Sequence, residues 1–217
     1  MTAVWMKCAW AVLLPMLLAA APPGGLGREA MLASNQVTIY THFAHPPSQL
    51  AFEQMKAELV AVMEPLDRHF DWRSLDQADG HEVATELVVV TFKGECQADW
   101  LPPIGPEAGA LGWTHVVDGA ILPFADVDCN RIRQLMVHPL ALALPGERAR
   151  MLGRAMARVL AHELYHFLLN TAKHAPSGVA KASLTAAELA SPHFCFDDAG
   201  LHEAQAHHTP PHDPDLE

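Results

Sequence analysis

The stretch Val159-Leu160-Ala161-His162-Glu163-Leu164-Tyr165-His166-Phe167-Leu168-Leu169-Asn170 is apolar on almost every side, yet it carries two histidines and a glutamate. A helix that is apolar all round is normally buried. Histidines four residues apart on a helix share one face, about one turn apart. Their imidazoles can therefore converge on one Zn²⁺ at nitrogen–metal distances of roughly 2.0–2.1 Å. Glu163 is offset too far to be a third ligand, but it can hydrogen-bond a water in the site, take its proton and pass that proton to a leaving group. The plain alternative is a helix whose histidines and glutamate face solvent. The chain holds 14 histidines, so random placement would yield ~0.05 occurrences of His-Glu-x-x-His. The apolar helical setting argues against accident. Burying two imidazoles and a carboxylate without partners costs several kcal/mol, and a metal with a water supplies those partners.

One helix offers only two ligands, whereas catalytic zinc normally takes three and a water. His174 is the first choice for the third. On a continuous helix it would lie about 12 Å beyond His166 along the axis, so the helix must stop and fold back. Asn170-Thr171 suits that stop, because Asn tolerates the left-handed conformation found at helix ends. Ala175-Pro176-Ser177-Gly178 then keeps the chain in a loop. Glu188, on a short helix of its own, is the rival ligand; His193 and Asp197 are weaker options.

Working outward, the motif ends a long helix expected over Glu147 to Asn170, whose first half turns Arg148, Arg150, Arg154 and Arg158 toward water. Upstream, Val37 to Phe43 reads as a β-branched and aromatic strand. Ser48 caps a helix over Gln49 to Leu66, in which Leu50, Phe52, Met55, Leu59, Val60 and Met63 recur at helical spacing. Glu86 to Phe92 is a continuous apolar run, the mark of a buried central strand. Gly109 to Val117 and Ala120 to Val127 form a hairpin across Asp118-Gly119. A short helix is expected at Thr185 to Leu189. The sum is an α+β fold, or α/β, with a twisted mixed β-sheet packed against the long motif helix and a second, N-terminal helix.

Residues 1–21 have the layout of an export signal: Lys7, then an uncharged run from Cys8 to Ala21 that ends in small residues. That run is too short for a comfortable membrane span, which needs about 20 residues, so no stable span is expected after cleavage; the alternative is an uncleaved N-terminal anchor. Residues 22–35 form a Gly- and Pro-rich linker, 36–200 the domain, and 201–217 a polar, His-rich tail read as disordered. Export leaves Cys96, Cys129 and Cys195; in an oxidising compartment this odd count implies one disulfide and one leftover thiol. Cys96 and Cys129 flank the same strand-rich region and are the preferred pair.

With 14 Lys and Arg against 25 Asp and Glu, the net charge is −11. Nucleic acid needs a clustered basic surface and is excluded as a partner. No nucleophile elbow, phosphate loop or dinucleotide fingerprint occurs.

On His162, Glu163 and His166, with His174 as third ligand, the chain resembles the zincin metallopeptidases, in which a His-Glu-x-x-His helix lies against a twisted sheet. The likeness is closest to the metzincin side, where a third His follows shortly after a turn. It is also similar to small bacterial exported proteins with this motif. The chain departs from the metzincin pattern: Leu169 and Ala172 occupy the positions of its Gly and third His, and Ser177 to Lys181 contains no methionine. The resemblance implies a zinc-dependent peptidase acting on a peptide or protein substrate, with Glu163 as general base. The alternative is a non-catalytic exported metal-binding or protein-binding module on the same scaffold. Zincins present an edge strand to extended substrates, and Gly109 to Val117 is a candidate, although a plain hairpin strand is the simpler reading. Isolated His115 and His138 are expected at the surface or satisfied in the core, and Tyr165 is expected to pack in the core.

Overall fold

Val37, Ile39, Val88, Val90, Phe92 and Val127 are fully buried and fall on alternate positions of three neighbouring strands. Side chains in a strand alternate between faces, so this pattern turns one face of a sheet toward the core. The computed structural model describes residues 35–103, 105, 109–198 and 200–202. The expected export signal, nearly all of the linker, and the tail from residue 203 lie outside the described residues.

The strands are β1 (Gln36–His45), β2 (His69–Ser74), β3 (Glu86–Glu95), β4 (Gly112–Val117) and β5 (Ala120–Asp128). They form one sheet in the order β2-β1-β3-β5-β4. The pairs β1–β2, β1–β3 and β3–β5 are parallel, and β4 runs antiparallel to β5 at the sheet edge. The Asp118-Gly119 turn joins β4 to β5 with positive φ at both residues (51° and 80°), as the tight hairpin turn demands. The mixed sheet with helices is the α+β architecture expected. β1, β3 and the hairpin stand where the sequence placed them, with the first hairpin strand starting at Gly112 rather than Gly109.

The helices are α1 (Gln49–Met63), α2 (Cys129–Leu135), α3 (Val137–Leu142), α4 (Pro145–Leu168) and α5 (Ala186–Ala190). Ser48 accepts a hydrogen bond from the Ala51 N–H and caps α1, as a serine at this position should. Helix α1 stops at Met63, three residues short of expectation, and a single tight turn over Glu64–Leu66 carrying Pro65 follows it. Helices α1 and α4 approach closely at Gly153, where a β-carbon would lie 2.3 Å from the Ala51 carbonyl oxygen. Met55, Leu59, Leu152, Met156 and Leu160 close the core between these helices and the sheet, each with no exposure. Arg158, expected to face water, is instead 1 % exposed and bound to Glu58 of α1.

Cys96 and Cys129 form a disulfide with Cα atoms 5.0 Å apart, tying the segment after β3 to the start of α2. Cys195 stands outside that bond and is half-buried. Leu201 still packs against the core. Among the described residues, no helix is long and apolar enough to cross a membrane.

Candidate metal centre

Helix α4 carries His162, Glu163 and His166 through the most buried part of the molecule. Its last turn ends at Leu169, and Asn170 takes a positive φ of 44°. The chain reverses there, as the placement of His174 required. The returning segment then does three things at once. The Thr171 carbonyl accepts a hydrogen bond from His166 Nδ1 at 2.7 Å. The Val179 carbonyl accepts one from His162 Nδ1, also at 2.7 Å. Between them, His174 places its ring 5.3 Å from that of His162 and 4.8 Å from that of His166, centroid to centroid.

Carbonyl oxygens only accept, so both Nδ1 atoms must carry the proton and both Nε2 atoms keep a lone pair. These two Nε2 atoms face each other at 3.2 Å. No proton lies between them in the neutral rings, and a metal ion shared by both lone pairs would make the contact favourable. Two nitrogens bound tetrahedrally to one zinc at roughly 2.0–2.1 Å would be about 3.3 Å apart. The donor atoms of His162, His166 and His174 all lie within 4.8 Å of one another. His174 is the exposed member of the three. Burial drives His162 down to about 4 and also lowers His166. Both rings are thus neutral near pH 7, the state in which imidazole binds a metal. This donor set fits Zn²⁺, and orientation of each helical histidine through its second nitrogen is the usual support for such ligands.

Glu163 is 3 % exposed. Burial raises its carboxyl to about 7, with the charge of Asp126 adding to the rise and hydrogen bonds from Thr114 opposing it. The Thr114 hydroxyl, on edge strand β4, is 2.8 Å from Glu163 Oε2. Gly112 opens the same strand; a β-carbon there would come within 2.9 Å of Glu163 Oε1, the Val159 side chain and the Asp126 carbonyl oxygen.

The other expected ligands go elsewhere. Glu188 accepts from Lys181 Nζ at 2.6 Å and from the Thr185 N–H and hydroxyl, each at 2.7 Å, closing a capping box on α5. Asp197 accepts from the Ser177 hydroxyl and the Gly200 N–H, and His193 lies exposed outside the cluster. His115 binds Asp126 at 2.6 Å beside Lys93, and His138 is exposed. Tyr165 is 1 % exposed and packs in the core as expected.

A cavity of about 430 Å³ opens beside His162 and Glu163. Part of its wall is Asn130, Arg131, Gln134 and Leu135 of α2, a helix that sequence reasoning missed. Its signal was Asp128, which caps the helix by accepting from the Arg131 N–H, followed by Ile132, Leu135 and Met136 at helical spacing. Thr114 and Gly112 were also missed; nothing local in a hairpin strand marks either as a neighbour of Glu163. No protein-family model matches the chain, and no curated protein matches it.

Proposed function

We propose that the protein is an exported zinc-dependent peptidase. The observation that carries this reading is the convergence of the His162, His166 and His174 ring nitrogens; Glu163 follows His162 in sequence and lines the same cavity. A zinc ion held by the three histidines supplies a Lewis acid that makes water nucleophilic near neutral pH. Glu163 would remove the proton from the attacking water and deliver it to the departing amine. Thr114 holds that carboxylate through its hydroxyl, and β4 is an edge strand, the kind of element that can pair with an extended peptide. The His-Glu-x-x-His helix lying against a mixed sheet, with a third histidine after a reversal, supports a divergent zincin. Export rests on the N-terminal layout of the sequence and accords with the Cys96–Cys129 disulfide.

The test is zinc content and cleavage of casein or quenched peptides by the mature protein and its Glu163→Gln variant. Equal zinc with activity lost in the variant supports the peptidase. Zinc without cleavage in either protein would leave a metal-binding module, and no zinc in either would sink the metal reading. His174→Ala should release the metal, and Glu188→Ala should not.

A further inference from the structure

The cavity beside His162 and Glu163 has a charge pattern that the chain as a whole lacks. Overall the protein carries 25 acidic against 14 basic side chains. The cavity lining has two cations, Arg131 and Lys181, and one carboxylate, Glu163 itself. Its volume of about 430 Å³ falls inside the range of roughly 300–1,000 Å³ typical of small-ligand sites. The rest of the wall is mixed, with Leu135, Val159 and Leu184 beside the polar Asn130, Gln134 and Ser183.

The positions of the two cations follow from their neighbours. Arg131 Nη1 donates to the Ala110 carbonyl at 2.9 Å, and its Nε lies 3.3 Å from Asp128. Nη2 has no partner among the described residues. Gly112 abuts Glu163, and Ala110, which holds the guanidinium, lies two residues before it in the same cavity wall. Lys181 follows two residues after Val179, whose carbonyl orients His162. Its ammonium meets Glu188 at 2.6 Å and retains two further N–H donors. The cavity that borders His162 and Glu163 thus also presents N–H donors of Arg131 and Lys181, each already in contact with one carboxylate, Asp128 and Glu188. A carboxylate tip reaching these donors would gain charge-assisted hydrogen bonds, which a cationic tip cannot make.

Resting on the peptidase reading, we infer that this cavity receives the substrate group next to the cleaved bond and selects one ending in a carboxylate. That carboxylate is either an acidic side chain or the free C-terminus of a short peptide. Arg131 and Lys181 are then specificity-determining residues.

Binding to the zinc-loaded Glu163→Gln protein reads this without turnover. The probes are peptide hydroxamates of one scaffold bearing a carboxyethyl, an isobutyl or an aminobutyl group, each with an amidated C-terminus, plus the isobutyl compound with a free C-terminus. Zinc is quantified in every sample. A carboxylate-bearing probe should bind at least tenfold tighter than the amidated isobutyl probe, with the aminobutyl probe weakest. An advantage confined to the carboxyethyl compound assigns the carboxylate to a side chain, and one confined to the free-terminus compound assigns it to the chain end. In Arg131→Gln, and separately in Lys181→Gln should either variant fold poorly, the ratio should collapse to within about twofold. An equal or tighter isobutyl probe, a ratio unchanged in both variants, or no binding by any probe would overturn the inference. Preserved carboxylate preference with no peptide cleaved by the native protein would instead remove the peptidase reading and leave a carboxylate-binding site. Absence of zinc would remove both.

Discussion

The Thr114 hydroxyl on edge strand β4 lies 2.8 Å from Glu163 Oε2 on helix α4, so the carboxylate of the motif is held from the sheet and not from its own helix. A buried carboxylate loses its water, and each remaining hydrogen bond counts for more. Thr114→Val keeps the shape but removes the donor, which should destabilise the fold by about 1–3 kcal/mol. It should lower kcat more than it raises KM, with zinc content unchanged. Thr114→Ser should restore most of the loss. Equal kcat in the Val and wild-type proteins would show that the hydroxyl does not serve Glu163.

Gly112 sits two residues earlier on the same strand, and there the requirement is space. Its missing β-carbon would lie 2.9 Å from the Asp126 carbonyl oxygen, Glu163 Oε1 and the Val159 side chain together. Backbone on one side and the carboxylate on the other cannot both give way. Gly112→Ala should displace β4 from α4 at a cost of about 1–3 kcal/mol and, under the proposed function, lower peptide cleavage with zinc content unchanged. Thermal unfolding and zinc content of the variant check this. Unchanged stability and activity would mean that the strand shifts freely.

Much of this arrangement was legible in the sequence because local chemistry marked it. The helical spacing of His162 and His166, the apolar ring around them and the turn at Asn170 together point to the metal centre and to His174. The Asp118-Gly119 hairpin and the apolar run of β3 were equally plain. The missed parts have non-local causes. Strand β2 is a six-residue edge strand in which only Phe70 and Trp72 alternate inward, too short a signal to separate from loop. Helices α2 and α3 were obscured by the polar Asp128-Cys129-Asn130-Arg131 start and by Pro139. Arg158 was read as solvent-facing by its place in a run of arginines, because its partner Glu58 is 100 residues away.

In metal-free protein the pH dependence of stability should expose two opposing groups. Glu163, raised by burial from 4.5 to about 7, holds a proton in the folded state that the unfolded chain releases earlier. Its contribution is present below about 4.5 and is lost as pH rises toward 7. His162, lowered by burial from 6.5 to about 4, behaves in reverse: its unfavourable charging in the fold removes stability as pH falls from 6.5 to 4. Each effect is on the order of 3 kcal/mol, so the wild-type profile should be shallow between pH 4 and 7. Glu163→Gln removes one side of the balance, and its stability should climb more steeply with pH across that window, aided by the lowered His166. Urea unfolding in a chelator at several pH values measures this, and parallel profiles for the two proteins would refute it.

Arg158 makes a further prediction, because one buried guanidinium joins three elements. Its Nε and Nη2 meet Glu58 Oε1 of α1 at 2.7 and 2.6 Å, and Nη1 donates to the Glu188 and Leu189 carbonyls of α5 at 2.7 and 3.1 Å. Replacing one partner of a buried ion pair leaves the other charge without compensation, at a cost of about 3–5 kcal/mol. Arg158→Met should therefore lower the unfolding temperature by roughly 10 °C for a domain of this size. Arg158→Lys should recover little, since an ammonium cannot span the carboxylate and two carbonyls as the planar fork does. The double variant Arg158→Met with Glu58→Leu should be more stable than Arg158→Met alone, because the orphaned carboxylate is gone. If the double variant is instead the sum of two independent losses, the pair is not coupled and Arg158 acts only through the α5 carbonyls.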